Sequence, residues 1–535
     1  MKTTNGNPIA VRILSILAAG LMLALLAPGA RAASDFRLSV GSEFLGALDM
    51  EEFRLVAVQE GGRIKTFDSL AREKLKYVNA SSEADAIDPV ARYLDMMLVP
   101  QHWVGTPVIH IDKRVVREQI VNQLRTMVPP GQRTGPIADP ELERILDEGL
   151  VSIQFVDHPQ VQQVLSMMER DLRQTAKQVQ EIRTGRGLAD HRMLRAMWKV
   201  IPPPGGDDVD PWHSVDALTR GAMPNDSVHA GMMGGGGGGI PGLDGAIAQD
   251  IRKAWQSLQQ AWRFQDAEQA NQAMATLASR FAEVEPSLYP GESRRAWEHW
   301  YYKYKKLTPG WIVYFFSLPF LLMAFLYGFR WARVTGLLLF GAGFVIHTVS
   351  IGLRWYLAGR IPNANMFEAI IASAWFGGLL AIAMEYLLRR RRMKNLPALG
   401  AGFYAMLGMM FGNFMTVKLN SDITTVMPVL DRTIWLYIHT NMIIISYALI
   451  FFAAVTAVIY LGCRWASPFA PRLLGSDWGP SAFAIGGASQ LILRRDDRDE
   501  PPPASLSAAA TNPGEPANQG LARTLDGATM VFLEV

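Results

Sequence analysis

From Trp311 onward, long apolar runs alternate with short polar breaks, whereas residues 34 to 310 mix charged and apolar positions throughout. A helical apolar run of about twenty residues matches the hydrocarbon thickness of a bilayer. The pattern predicts membrane spans over 311–329, 335–353, 368–388, 396–415 and 434–461. The fold class expected is an α-helical polytopic membrane protein preceded by a mainly α-helical domain with some β structure.

Within the first half, "QEGGRIKTFDSLAREKL" (59–75) predicts a turn feeding an amphipathic helix, and 88–112 predicts a helix followed by a short strand. Residues 158–183 carry apolar positions at helical spacing and predict one long surface helix, and 246–284 predict two helices. The six glycines at 234–239 predict a flexible linker, giving segments 34–233, 234–245 and 246–310. "EHWYYKYKKLTP" (298–309) has the aromatic and lysine content of an interfacial anchor.

The first 33 residues combine Lys2 and Arg12, an apolar stretch and Ala30-Arg31-Ala32, the layout of a signal peptide or of an uncleaved anchor. Either places the following domain outside the cytoplasm. Basic breaks give the same orientation. "RWAR" (330–333), "RRRRMK" (389–394) and the arginines after the fifth span are cytoplasmic by the positive-inside rule, which leaves 354–367 and 416–433 external. Residues 466–524 predict a cytoplasmic low-complexity segment, and 525–535 the start of a further span.

The net charge of +3 gives no footprint for nucleic acid. The single cysteine, Cys463, excludes an intrachain disulfide, a dithiol redox motif and a c-type haem attachment site. No phosphate-binding loop, Gly-x-Ser-x-Gly or His-Glu-x-x-His occurs.

Candidate chemistry therefore rests on titratable groups inside the spans. His439 sits near the outer end of the fifth span, and Trp435, Met442 and Ser446 share its helix face. A neutral imidazole facing a cavity is a good axial ligand for haem iron. Its alternative is a hydrogen bond to a neighbouring helix. His347 lies in the outer half of the second span, with Ser350 and Arg354 at i+3 and i+7. Histidine and arginine on one face suit an anionic cofactor, or Arg354 snorkels to the interface. Asn365 and Glu368 have capping-box spacing, and Arg360 adds external positive charge.

"LRWYLAGRIPNANMFEAIIASAW" and "MPVLDRTIWLYIHTNMIIISYA" together resemble the cytochrome c assembly protein family, the CcsA/ResC-type membrane subunit of the system II cytochrome c synthetase. The resemblance covers about residues 311–465. It implies a bacterial inner-membrane protein with its large N-terminal domain in the periplasm. The implied role is delivery of haem b to the outer face for thioether attachment to apocytochrome c. It also implies a ResB-like membrane partner. His439 matches the family's first external histidine, a haem ligand. Trp435, Arg354 and His347 are further cofactor-binding candidates. The family's Trp-rich external motif, second external histidine and later membrane histidine are not in this sequence. The expectation is an amino-terminal fragment or split product, completed by a separate polypeptide carrying the Trp-rich motif. No catalytic residue is assigned. Whether it acts within a holocytochrome c synthase-type complex depends on that completion. The residues also leave open a non-catalytic scaffold of the maturation complex, and a transporter with a polar path past His347 and Arg354.

Overall fold

A computed structural model describes residues 38–79, 87–171, 175–207, 209–219, 239–387, 395–415, 419–425 and 434–466. The expected signal segment, the six glycines apart from Gly239, the 389–394 basic run and everything after 466 lie outside these residues. The chain divides into two compact units, one of residues Gly29–Lys303 and one containing Tyr304 onward.

In the first unit, Gly61 and Gly62 both take positive φ, 62° and 74°, and close a two-residue hairpin. Only a residue without Cβ takes up such consecutive left-handed angles freely, and this geometry matches the twist of the flanking strands. The strands are β1 (Ala57–Glu60) and β2 (Arg63–Thr66), in antiparallel register with Glu60 opposite Arg63. Helix α1 (Phe67–Asn79) follows directly. Helix α2 (Pro89–Leu98) is capped by Asp88, whose carboxylate accepts from the backbone of Val90 and Ala91. The strand Ile109–His110 follows as the 88–112 pattern predicts, after a further short helix, Pro100–Gly105, that the pattern does not predict.

The stretch 158–183 forms two helices, Pro159–Glu169 and Ala176–Ala189, where one was expected. The Thr175 hydroxyl donates to the Met168 carbonyl, a local bond that competes with helix continuation. Nor is the first of these a pure surface helix, since Val161, Val164 and Leu165 are buried.

Residues 246–284 fold into α3 (Gly245–Phe264) and α4 (Ala267–Val284), separated by Gln265 in the left-handed region and Asp266 as the next N-cap. Helix α5 (Glu292–Lys303) closes the unit. Residues on both sides of the glycine run share one apolar core, in which Trp198 packs on Trp255 with ring centres 5.1 Å apart.

The second unit is helical. A tight turn over Lys305–Gly310 leads to α6 (Trp311–Tyr327), α7 (Arg330–Ala358), α8 (Met366–Leu387), α9 (Leu396–Phe414) and α10 (Ile434–Ala466). Among the described residues, three stretches, Lys305–Phe325, Arg330–Ala358 and Met366–Leu387, are long and apolar enough to cross a membrane. This is a helical membrane protein.

Helix α6 packs on α7 and α9, and α8 packs on α9 and α10. Without a hydrophobic drive between helices in lipid, close packing depends on small residues at the contacts. A Cβ on Gly336 would stand 2.9 Å from Leu321 Cγ and 3.0 Å from the Leu321 backbone nitrogen. One on Gly412 would stand 2.7 Å from Phe367 Cε2.

Candidate functional site

The polar face of α7 is buried. His347, Ser350 and Arg354 are 0, 3 and 3% exposed, at the spacing that puts them on one side of the helix. His347 Nε2 lies 3.1 Å from the Ile371 carbonyl and Nδ1 lies 3.4 Å from the Tyr314 hydroxyl. Ser350 donates to the Lys306 carbonyl at 2.9 Å.

Arg354 is the centre of a clasp. Its Nε donates to Glu368 Oε1 at 2.8 Å, and Nη1 and Nη2 donate to the carbonyls of Ser421 and Asp422 at 3.0 and 2.8 Å. The guanidinium also stands 5.0 Å over the Phe367 ring. Helix α7 stops at Gly359, which takes φ 67° and returns its N–H to the Trp355 carbonyl. That stop brings Arg360 round to the same carboxylate, with Nη1 3.0 Å from Glu368 Oε2. Arg360 also donates to the Thr424 carbonyl.

Glu368 and Asn365 begin α8 together. The Asn365 amide oxygen accepts the Glu368 N–H at 2.9 Å, the first half of a capping box. The return bond goes one residue further back than expected, from the Ala364 N–H to Glu368 Oε2 at 2.7 Å. The carboxylate thus serves two arginines and a helix start at once.

Lys306 fastens the same loop from another side, with Nζ 2.7 Å from Ser421 Oγ and 3.4 Å from Asp422 Oδ1. Lys305, Lys306 and Leu307 take φ of 52°, 59° and 57°. Left-handed backbone costs about 1–2 kcal/mol per residue for a side chain bearing Cβ, so these contacts hold a strained turn in place.

His439 presents a different environment. It is exposed and makes no hydrogen bond among the described residues. Trp435 and Met442 on the same face are 73 and 66% exposed, and Ser446 is half-buried with its hydroxyl on the Ile443 carbonyl. The opposite face of α10 buries Ile444 and Ala448, at 2 and 1%. The helix therefore packs through its aliphatic side and turns the imidazole, indole and thioether outward. Such a face fits a flat apolar group carrying a metal. It offers broad apolar contact beside an imidazole that makes no hydrogen bond among the described residues. Among the described residues no group of three or more His, Cys, Asp or Glu side chains could hold a metal ion by itself.

The four residues singled out in the sequence thus fall into two sets. His347 and Arg354 meet the Tyr314 and Glu368 side chains in the interior, while Trp435 and His439 stand side by side on an open helix face. Sequence reasoning missed Lys306, Ser421 and Asp422 as members of the clasp, and took Glu368 as a cap alone. An acidic residue in the first turn of a span, facing a loop with two arginines, was the available signal for the ion pair.

No family model matches the chain. The chain is 26% identical to the cytochrome c biogenesis protein CcsA of Guillardia theta over 156 residues, 28% of this chain and 49% of the relative. It is 24% identical to the CcsA protein of Prochlorococcus marinus (strain MIT 9313) over 157 residues, 29% of this chain and 45% of the relative. Protein NrfI of Wolinella succinogenes is 30% identical over 151 residues, 26% of this chain and 15% of the relative. The chain spans about half the length of the CcsA proteins just named.

Proposed function

We propose that this chain, a relative of the CcsA cytochrome c biogenesis proteins, handles haem b at the outer face of a bacterial inner membrane for attachment to apocytochrome c. The observation that carries the reading is the open imidazole of His439, free of hydrogen bonds among the described residues and flanked by exposed Trp435 and Met442.

Haem is cargo here. When bound, it supplies the vinyl groups that become thioethers with the cysteines of the acceptor protein. The chain's own task is to hold and orient it. His439 donates a nitrogen lone pair to the iron, for which the imidazole is neutral. Trp435 gives the porphyrin an apolar edge. Arg354 and His347 act one step back: their polar atoms are engaged by Glu368, backbone carbonyls and Tyr314, and they brace the loops beside the spans.

In this reading helices α6 to α10 all cross the membrane, and the positive-inside bias puts His439 near the outer surface with the first unit in the periplasm. The Trp-rich presenting surface and a second ligand for the iron are then supplied by a separate polypeptide. A ResB-like membrane protein completes the assembly.

The test is haem content of the detergent-purified protein and of His439→Ala, by reduced absorption spectrum and pyridine haemochrome. Haem b in the wild type that the variant loses supports the assignment. Equal haem in both removes His439 from the site, and no haem in either means that this chain alone does not hold the cargo.

A further inference from the structure

Helix α5 carries two tryptophans that neither the core of its unit nor the proposed haem site uses. Trp297 is 49% exposed, and its ring meets that of Trp300 edge-on with centroids 5.6 Å apart. Successive helical residues are about 100° apart, so Ser293, Trp297, Trp300 and Lys303 fall on one side of the helix.

The other side is fastened to the domain. Glu298 pairs with Arg63, His299 Nδ1 lies 3.0 Å from Asp68 Oδ2, and the Tyr302 hydroxyl donates to Glu73 at 2.7 Å. Glu298 and Tyr302 are each 4% exposed. The helix therefore has little freedom to roll its indoles inward.

We propose that the exposed face of α5 lies in the headgroup region of the bilayer and ties the first unit to the membrane surface. Chain continuity supports a lipid partner: α5 ends at Lys303, and a stretch able to cross a membrane starts two residues later at Lys305. The composition agrees, because indoles and lysine amines concentrate at the boundary between acyl chains and water. The Trp297 indole, 49% exposed, would gain nothing from that position in bulk water. The proposal is independent of the haem reading.

The experiment uses the full chain with Cys463→Ser and Trp297→Cys, labelled with bimane and reconstituted in nanodiscs of phosphatidylcholine and phosphatidylglycerol. A parallel sample carries the label through Val115→Cys, a position 64% exposed elsewhere on the unit. The label at 297 is expected to lose emission when a headgroup-proximal nitroxide lipid is included, and to be shielded from iodide in the water. The label at 115 is expected to show the reverse. Iodide quenching at 297 equal to that at 115 overturns the proposal. So does shielding from both quenchers, which would mean that protein covers the face. Ser293→Cys repeats the test with both tryptophans intact, should Trp297→Cys fail to fold.

Discussion

Arg354 and Glu368 form a buried ion pair, with Nε 2.8 Å from Oε1 and side chains 3 and 0% exposed. Removing two charges from water is costly. It is offset here because the remaining Arg354 donors find the Ser421 and Asp422 carbonyls and the remaining Glu368 oxygen finds Arg360 and Ala364. Deleting one partner strands the other. Glu368→Ala is expected to destabilise the second unit by about 3–5 kcal/mol, read as a lowered unfolding temperature in detergent. Arg354→Lys keeps the charge and loses the fork that reaches two carbonyls, so it should fall between the wild type and Glu368→Ala. A Glu368→Ala protein that melts with the wild type would mean that the clasp adds no stability.

The helices of the second unit were legible because their apolar runs are long: all five runs overlap helices α6 to α10, and among the described residues three stretches are long and apolar enough to cross a membrane. The Gly-Gly hairpin was legible as a turn from composition alone. What could not be read was which polar side chains meet. Arg354 and Ser421 are 67 residues apart, and no local pattern announces that contact. The break between Glu169 and Ala176 was hidden for a related reason, because the apolar spacing continues through it while one threonine hydroxyl diverts a carbonyl. For His439 the spacing alone could not choose between an interior hydrogen bond and an open face. Burial of Ile444 and Ala448 on the far side decides that it is open.

Asp95 accepts from two indoles, Trp103 at 2.9 Å and Trp262 at 2.8 Å, and from the Ser39 backbone at 2.9 Å, with no exposure of its own. The carboxylate joins the start of the described chain to helices α2 and α3. Hydrogen bonds to a charged group are worth about 1.5–3 kcal/mol each, and a stranded buried donor adds its desolvation cost. Asp95→Ala should therefore expose the first unit to protease at a lower urea concentration than the wild type. Asp95→Asn, which retains one acceptor oxygen, should lose less. Equal digestion of all three would show that the indoles find other partners.

Gly336 and Gly352 lie on the same helix with opposite surroundings. A Cβ at 336 runs into Leu321, backbone included, whereas one at 352 meets nothing within 4 Å. Overpacking a tight contact costs about 1–3 kcal/mol. Gly336→Val should lower the unfolding temperature of the membrane unit, and Gly352→Val should leave it near the wild type. A reversal of that order in detergent melts would contradict the α6–α7 packing.

The first unit should weaken in acid through Glu73. Burial pushes this carboxyl upward. The charges of Lys65 and Arg63, with hydrogen bonds from Lys65 and Tyr302, more than reverse that and hold it at about 2 against an ordinary 4.5. A carboxyl depressed on folding contributes stability that is fully present above its unfolded pKa and is lost as pH falls toward the folded one. The window is therefore pH 4.5 down to about 2. At about 1.4 kcal/mol per unit, the contribution at neutral pH is up to about 3 kcal/mol. Lys65, whose pKa is raised, acts at the other extreme: burial pulls it down, Glu73 and Glu60 raise it further, and its share is lost only in alkali. Urea unfolding of the first unit, followed by tryptophan fluorescence between pH 7 and 3, should show a midpoint that falls on acidification. Glu73→Gln keeps a partner for Tyr302 but cannot titrate, so its midpoint should start lower and fall less steeply. Parallel curves for the two proteins would place the acid sensitivity on other carboxylates, Asp68 beside Arg72 and His299 being the next to test, since burial raises its pKa less than those two partners lower it.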